Sequence, residues 1–195
     1  MGSQQSSVTC ETMKNSEFTE DAALLYDVML IADVMMYHVR RKDKEITDPS
    51  AMKNVLKSTK CVTIALCKDN EPYLVTLTHG YDENRNCIYF HCAKEGKKID
   101  YMKTSSKVWG QAFIDHGHVQ GECDHHYTSV HFSGKVTFLE DLAEKKQAME
   151  CMMRHLERKS EEMIAKLKPE RFQSTIIGRV DIDYMSGKTS NKPAK

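Results

Sequence analysis

The sequence predicts a mainly β, α+β fold: a small closed antiparallel barrel of six strands with peripheral helices. Two observations carry this expectation. Six short runs rich in Val, Ile, Thr, Tyr and Phe alternate with Gly, Asp and Asn turn clusters between residues 61 and 183. The runs are interrupted by only a few helix-like stretches, and closing such a set of strands removes the exposed edges that an open sheet would keep.

Residues 1–17 are polar and rich in Ser, Gln and Thr, and read as a frayed tail. A helix is expected over 18–38. Ala22, Leu25, Tyr26, Met29, Leu30, Met36 and Tyr37 recur near helical spacing, with Asp33 interrupting that face. A charged connector over 39–45 follows. Asp48 is placed to cap a short helix that has Pro49 at its first position, Met52, Val55 and Leu56 on one face, and an end near Ser58. Strands over 61–67, 72–79 and 87–92, joined by turns at 68–71 and 82–86, read as a meander. A short helix over 95–103 is entered through Gly96. The fourth strand, 107–114, carries the only Trp, Trp109. The fifth, 127–139, contains Gly134, which marks a bend or bulge. A helix over 140–167, with Leu142, Met149, Met152, Met153 and Leu156 as its apolar stripe, is stopped by Pro169. A sixth strand spans 175–183, and the barrel domain is expected to occupy 39–187, with 188–195 as a polar tail.

Charge narrows the function classes. Lys and Arg number 28 against 28 Asp and Glu, which excludes a broadly basic nucleic-acid binder yet leaves room for one small basic pocket. The longest apolar run, 22–37, is interrupted by Asp27 and Asp33 and is shorter than the ~20 residues a bilayer requires. With no basic-then-apolar leader, the expectation is a cytoplasmic protein without a membrane partner. Seven cysteines, an odd number with no C-x-x-C, read as free, mostly buried thiols. No P-loop, G-x-G-x-x-G or G-x-S-x-G is present.

The informative stretch is 88–100, Ile-Tyr-Phe-His-Cys-Ala-Lys-Glu-Gly-Lys-Lys-Ile-Asp. A strand ends at His91, Gly96 allows close backbone approach, and Lys97 and Lys98 begin a helix. Cations are unfavourable in a first helical turn, and an anion seated between them offsets that cost. The residues alone leave open whether these are simply two solvated lysines. His116, His118, Cys123, His125, His126 and His131 are dense between the fourth and fifth strands. They read as a surface segment with Cys123 buried rather than a metal site, because no second Cys stands at zinc-motif spacing. His79, ending the second strand, has a pKa range suited to proton donation near neutral pH, with a purely structural role as the alternative.

A resemblance adds to this reading. The segments Arg40-Arg-Lys-Asp-Lys-Glu-Ile-Thr-Asp-Pro49, Pro72-Tyr-Leu-Val, Tyr89-Phe-His-Cys-Ala, Gly96-Lys-Lys-Ile-Asp100 and Tyr127-Thr-Ser-Val130 with Gly134 resemble, in order and spacing, the nitroimidazole-resistance branch of the pyridoxamine 5′-phosphate oxidase-like flavoproteins. The resemblance runs from about Arg40 to Gly187 and implies an FMN-binding split β-barrel, usually a homodimer with FMN between subunits. It implies that Leu74, Val75, Thr76, Leu77, Thr78 and His79 border the flavin ring and that Phe90 and His91 lie near the ribityl phosphate. By the same resemblance Lys97, Lys98 and Ser129 hold that phosphate. The implied activity is electron or hydride transfer from reduced FMN to a small acceptor such as a nitroaromatic, with His79 the catalytic candidate. This chain has Lys97-Lys98 where the oxidases proper tend to have Arg-Lys, and it lacks a C-terminal pyridoxal-phosphate signature, which argues against pyridoxamine-phosphate oxidation. Two alternatives stand beside this expectation: a non-catalytic flavin or haem carrier or sensor, and a reductase using the deazaflavin F420, whose longer acidic tail would have only Arg40 and Arg41 as spare cations.

Overall fold

The structure, a computed structural model, describes residues 39–168, 170, 172 and 175–190; the helix expected over 18–38 lies outside them. After a 3-10 turn at Lys42–Lys44 and a two-residue strand β1 (Glu45–Ile46), Asp48 turns the chain into α1 (Pro49–Ser58). Its carboxylate accepts from the Ser50 N–H, and Pro49 occupies the first turn, where a missing N–H costs nothing. Met52, Val55 and Leu56 are the buried face, as the spacing predicts.

Alternation then takes over. In β2 (Cys61–Lys68) Val62, Ile64 and Leu66 point into the core, while Cys61 and Cys67 face out. The remaining strands are β3 (Glu71–Thr78), β4 (Gly80–Asp82), β5 (Cys87–Cys92), β6 (Lys107–Val119), β7 (Asp124–Phe138) and β8 (Ile176–Thr189). All pair antiparallel in the order β3-β2-β6-β7-β8-β5-β4, and β1 joins beside β8. The sheet therefore has eight strands rather than six, the additions being the short β1 and β4.

β2 and β3 form the expected hairpin, closed by Asp69 and Asn70, both at positive φ as a tight two-residue turn requires. The meander ends there. β5 pairs with β8 and β4, not with β3. Four consecutive residues of β5, Cys87 to Phe90, are buried, so this strand needs cover on both faces and takes an interior position.

One joint closes the barrel. Thr78 ends β3 at one margin of the sheet, and Gly80 begins β4 at the other, with His79 alone between them. The β4–β5 register, Gly80 opposite Tyr89, would continue to Thr78 opposite His91, but pairing stops. The barrel is split along this seam, and β3 keeps an unpaired edge there.

Val62, Ile64, Val108, Val130, Phe132 and Val180 fill the interior. A second cluster, including Cys87, Tyr89, Ala148, Met152 and Ile177, forms where α3 (Leu142–Leu156) covers the outside of β5. Asp141 caps α3 by accepting from the Glu144 N–H. The expected continuous helix over 140–167 is broken: Glu157 is extended, and α4 (Ser160–Ala165) starts anew. Leu142 is exposed, and the buried stripe is Ala148 with Met152. The register shift between Ser133 and Gly134 is the irregularity expected at Gly134. β8 runs past the expected end at 183, because β7 offers partners as far as Thr128 opposite Thr189. Residues 186–189 thus belong to the sheet. The six cysteines among the described residues are free; Cys61, Cys67 and Cys123 are exposed, so burial is not their common state. No described helix is long and apolar enough to cross a membrane.

Candidate functional site

The helix α2 (Lys97–Thr104) lies against the β2–β3 hairpin, its Lys97 and Tyr101 side chains reaching Glu71 and Tyr73 of β3, the strand with the open edge. Gly96 caps this helix at φ 130°, a conformation that L side chains rarely adopt, although nothing lies within 4 Å of where a Cβ would stand. No side chain caps the helix. The Ile99 and Asp100 N–H groups donate to the Gly96 carbonyl, which leaves the Lys97 and Lys98 N–H groups available at the positive end of the helix dipole.

The two lysines differ. Lys97 Nζ lies 3.0 Å from Glu71 Oε1, and 4.9 and 5.3 Å from the ring centroids of Tyr73 and Tyr101. Those rings pack edge-on at 5.3 Å. The ion pair raises the Lys97 pKa and lowers that of Glu71. An exposed pair adds little stability on its own, but here two ring faces join it and fasten α2 to the β2–β3 hairpin. Lys98 is half-buried and, among the described residues, has no ion pair or side-chain hydrogen bond. It is the available cation.

On β3, Leu74 is 66% exposed and Thr76 and Thr78 also face outward, while Val75 is half-buried and Leu77 is buried. Pro72 fits an edge strand, which can spare an N–H. The unpaired edge offers backbone donors and acceptors to a planar polar ligand. His91 is exposed at the end of β5, beside the loop leading to Gly96.

Two expected positions require correction, and a third, Ser129, lies apart from the lysines within one chain. His79 is fully buried. Its Nε2–H donates to the Leu56 carbonyl at 3.1 Å, its ring lies 4.6 Å from that of His155, and desolvation pulls its pKa down to about 4. A proton donor needs access and a proton it can release near neutral pH; His79 is sealed from solvent and its Nε2–H is held by the Leu56 carbonyl, so its catalytic role falls. Phe90 is also a core residue. Its ring fills the space over Gly178, where a Cβ would come within 2.2 Å of it, and it does not face a ligand outside the barrel. Ser129 on β7 is three strand spacings from β3, roughly 14 Å. It also lies toward the opposite end of the sheet from Glu71, the anchor of Lys97. One chain does not bring Ser129 to Lys97 and Lys98.

The histidine-rich segment lies on β6 and β7 rather than in a loop. His118 stands opposite His125, whose Nε2 is 2.7 Å from Asp115 Oδ1, and His116 bonds the Thr128 hydroxyl. Among the described residues, no three His, Cys, Asp or Glu side chains are placed to hold a metal ion.

Comparison with known families now bears on this geometry. Residues 48–189 match the family model for pyridoxamine 5′-phosphate oxidase. The chain belongs to this family. A search of curated proteins gives no match. Among solved structures, a candidate 5-nitroimidazole antibiotic resistance protein from Bacteroides thetaiotaomicron is 23% identical at a TM-score of 0.65, over 74% of this chain and 86% of that one. The flavocytochrome Anf3 from Azotobacter vinelandii gives 15% identity and a TM-score of 0.68, over 82% and 75%. An FAD-binding protein from Mesorhizobium loti gives 22% and 0.54, over 74% and 96%. These likenesses establish the split-barrel fold.

In this family member, sequence reasoning missed the Glu71, Tyr73 and Tyr101 clamp. Part of its signal was visible, since Tyr101 stands four residues after Lys97 on a helix. Glu71 joins only through the hairpin.

Proposed function

We propose that the protein is an FMN-binding flavoprotein that passes electrons or hydride from reduced flavin to a small acceptor, such as a nitroaromatic, and that it works as a homodimer. The observation that carries this reading is the pairing of an open strand edge with an uncapped helix start that holds one uncommitted lysine. The edge suits the polar rim of a flavin ring, and the helix start suits one phosphate. The names of the similar structures, an FAD-binding protein and a flavocytochrome among them, support a flavin. A single cationic helix start favours the mononucleotide.

When bound, flavin supplies the redox chemistry. The chain's residues position it. The Lys98 ammonium and the N–H groups of Lys97 and Lys98 hold the phosphate. Lys97, clamped to Glu71, fixes α2 against β3 and so sets the span between phosphate seat and ring edge. Leu74 shields the ring from water.

The homodimer is supported by Leu74, Trp109 (44% exposed) and Phe113 (47% exposed), large apolar residues on the outward face of the sheet. A second copy covers them.

The test is spectroscopic. Freshly purified protein should show a flavin band near ~450 nm, and Lys98→Ala should release the flavin. A Soret band near ~400 nm without flavin supports the haem-carrier reading instead, and a colourless protein that ignores added FMN sinks the proposal.

A further inference from the structure

β6 and β7 run on as a hairpin beyond their neighbours: β2 leaves β6 at Gln111, and β8 leaves β7 at Thr128. This outer end lies away from α2, and the flavin seat leaves it unused. Residues 114–130 hold four histidines and three carboxylates, Asp115, Glu122 and Asp124, and no Lys or Arg. The local charge therefore favours a cation.

A bulge decides which of these side chains meet. Alternation sets Asp115 and His118, three residues apart, on opposite faces of a regular strand. The register shift between Asp115 and Gly117 inserts one residue and cancels that separation. Gly117 takes φ 93° there, which glycine tolerates, and its N–H donates to Asp115 Oδ1 at 2.7 Å. Asp115 and His118 thus share the face of His125, while His116 turns to the other face and bonds the Thr128 hydroxyl.

On the shared face His118 stands directly opposite His125, with ring centroids 6.3 Å apart and planes tilted by 34°. Two imidazoles ligating one ion through bonds of ~2.0–2.1 Å hold their ring centres roughly 4.5–6.5 Å apart, so little adjustment is needed. His125 Nε2 lies 2.7 Å from Asp115 Oδ1. A carboxylate only accepts, so the His125 proton sits on Nε2 and the lone pair is left on Nδ1. The His118 ring has no hydrogen bond among the described residues, and both rings are exposed. A pair of imidazoles needs no cysteine at zinc-motif spacing.

We propose that His118 and His125 chelate a divalent first-row metal ion of the kind that imidazole suits, Cu(II), Ni(II) or Zn(II), with Asp115 as the positioning residue behind His125. The carboxylate fixes the His125 tautomer and makes its ring a stronger donor. Two protein ligands leave the other positions of the ion to water or to a group brought by another molecule, so the ion is exchangeable rather than structural.

The experiment titrates the full-length protein, without a polyhistidine tag and with its thiols reduced, with Ni(II), followed by calorimetry. Saturable binding of one ion per chain is expected, fading as pH falls through about 6.5 and the imidazoles protonate. Asp115→Asn keeps an acceptor for the Gly117 N–H but removes the charge, and should weaken binding about tenfold. His118→Ala and His125→Ala each remove a ligand and should weaken it more, by about 100-fold. His116→Ala, on the opposite face, should stay within about threefold of wild type and marks the level of casual histidine binding. All four metal-free variants should melt with the wild type; if alanine disturbs the hairpin, His118→Gln takes its place. No saturable binding overturns the proposal. So does an equal loss in His116→Ala and His118→Ala, or an unchanged affinity in Asp115→Asn. The site does not rest on the flavin reading, and the same titration on flavin-free protein decides it alone.

Discussion

Residues 71 to 82 form nearly one continuous strand, and its two halves do different work. The first half, β3, has one margin unpaired and presents Leu74, Thr76 and Thr78 to the outside. The second half, His79 with β4, is covered by α1 and α3 and is almost wholly buried. The same alternation of side chains thus yields a ligand surface in one place and core in the other. The difference lies in what packs alongside, and it assigns the nearby titratable groups: Lys98, on the helix clamped to the open half, is free to bind, whereas His79, in the closed half, is committed to the Leu56 carbonyl of α1.

The largest expected effect tests the closed half. Its neutral histidine must gain a proton on unfolding in acid. With an ordinary value of 6.5 and a native value of about 4, the unfolded state binds more protons in that window. The contribution is therefore fully present above pH 6.5 and is lost as pH falls toward 4, about 3 kcal/mol in all. Thermal melts between pH 7.5 and 4.5 should show this loss, and His79→Phe should flatten it; a wild-type midpoint unmoved by acid would contradict the buried assignment. Next, in the open half, Lys98→Ala should weaken FMN binding by ~10–100-fold in a fluorescence titration while leaving the flavin-free melt almost unmoved. An equal loss of fold and flavin would erase the contrast between the halves. A smaller effect is expected from Gly96→Ala, which forces a Cβ into φ 130° and should cost about 1–3 kcal/mol in a denaturant melt. Smallest is Lys97→Ala. Its cation belongs to the clamp, so FMN affinity should change by less than about threefold. A loss matching that of Lys98→Ala would show that both lysines face the phosphate.

Much of this contrast was legible, some of it unused. The Asp48-Pro49 helix start and the Asp69-Asn70 hairpin are local devices, readable because neighbours in sequence satisfy them. Alternation placed His79 on the same side as Leu77, so its inward aim was already written; the Leu56 carbonyl that receives its proton comes from another element and was not. The partner of β5 was unreadable for the same reason, because what decides it is the cover that α3 supplies from sixty residues away. The break at Glu157 has no proline or glycine to announce it. Glu45 and Lys188, near the two ends of the described chain, meet only through the β1–β8 register.

The single residue that carries the chain from one margin of the sheet to the other has a mechanical meaning. A molecule bonded along β3 braces the very segment on which two helices lean. Loading the groove and melting the barrel are then readings of one lever, and a filled groove should lift the melting point of the entire barrel in a single step.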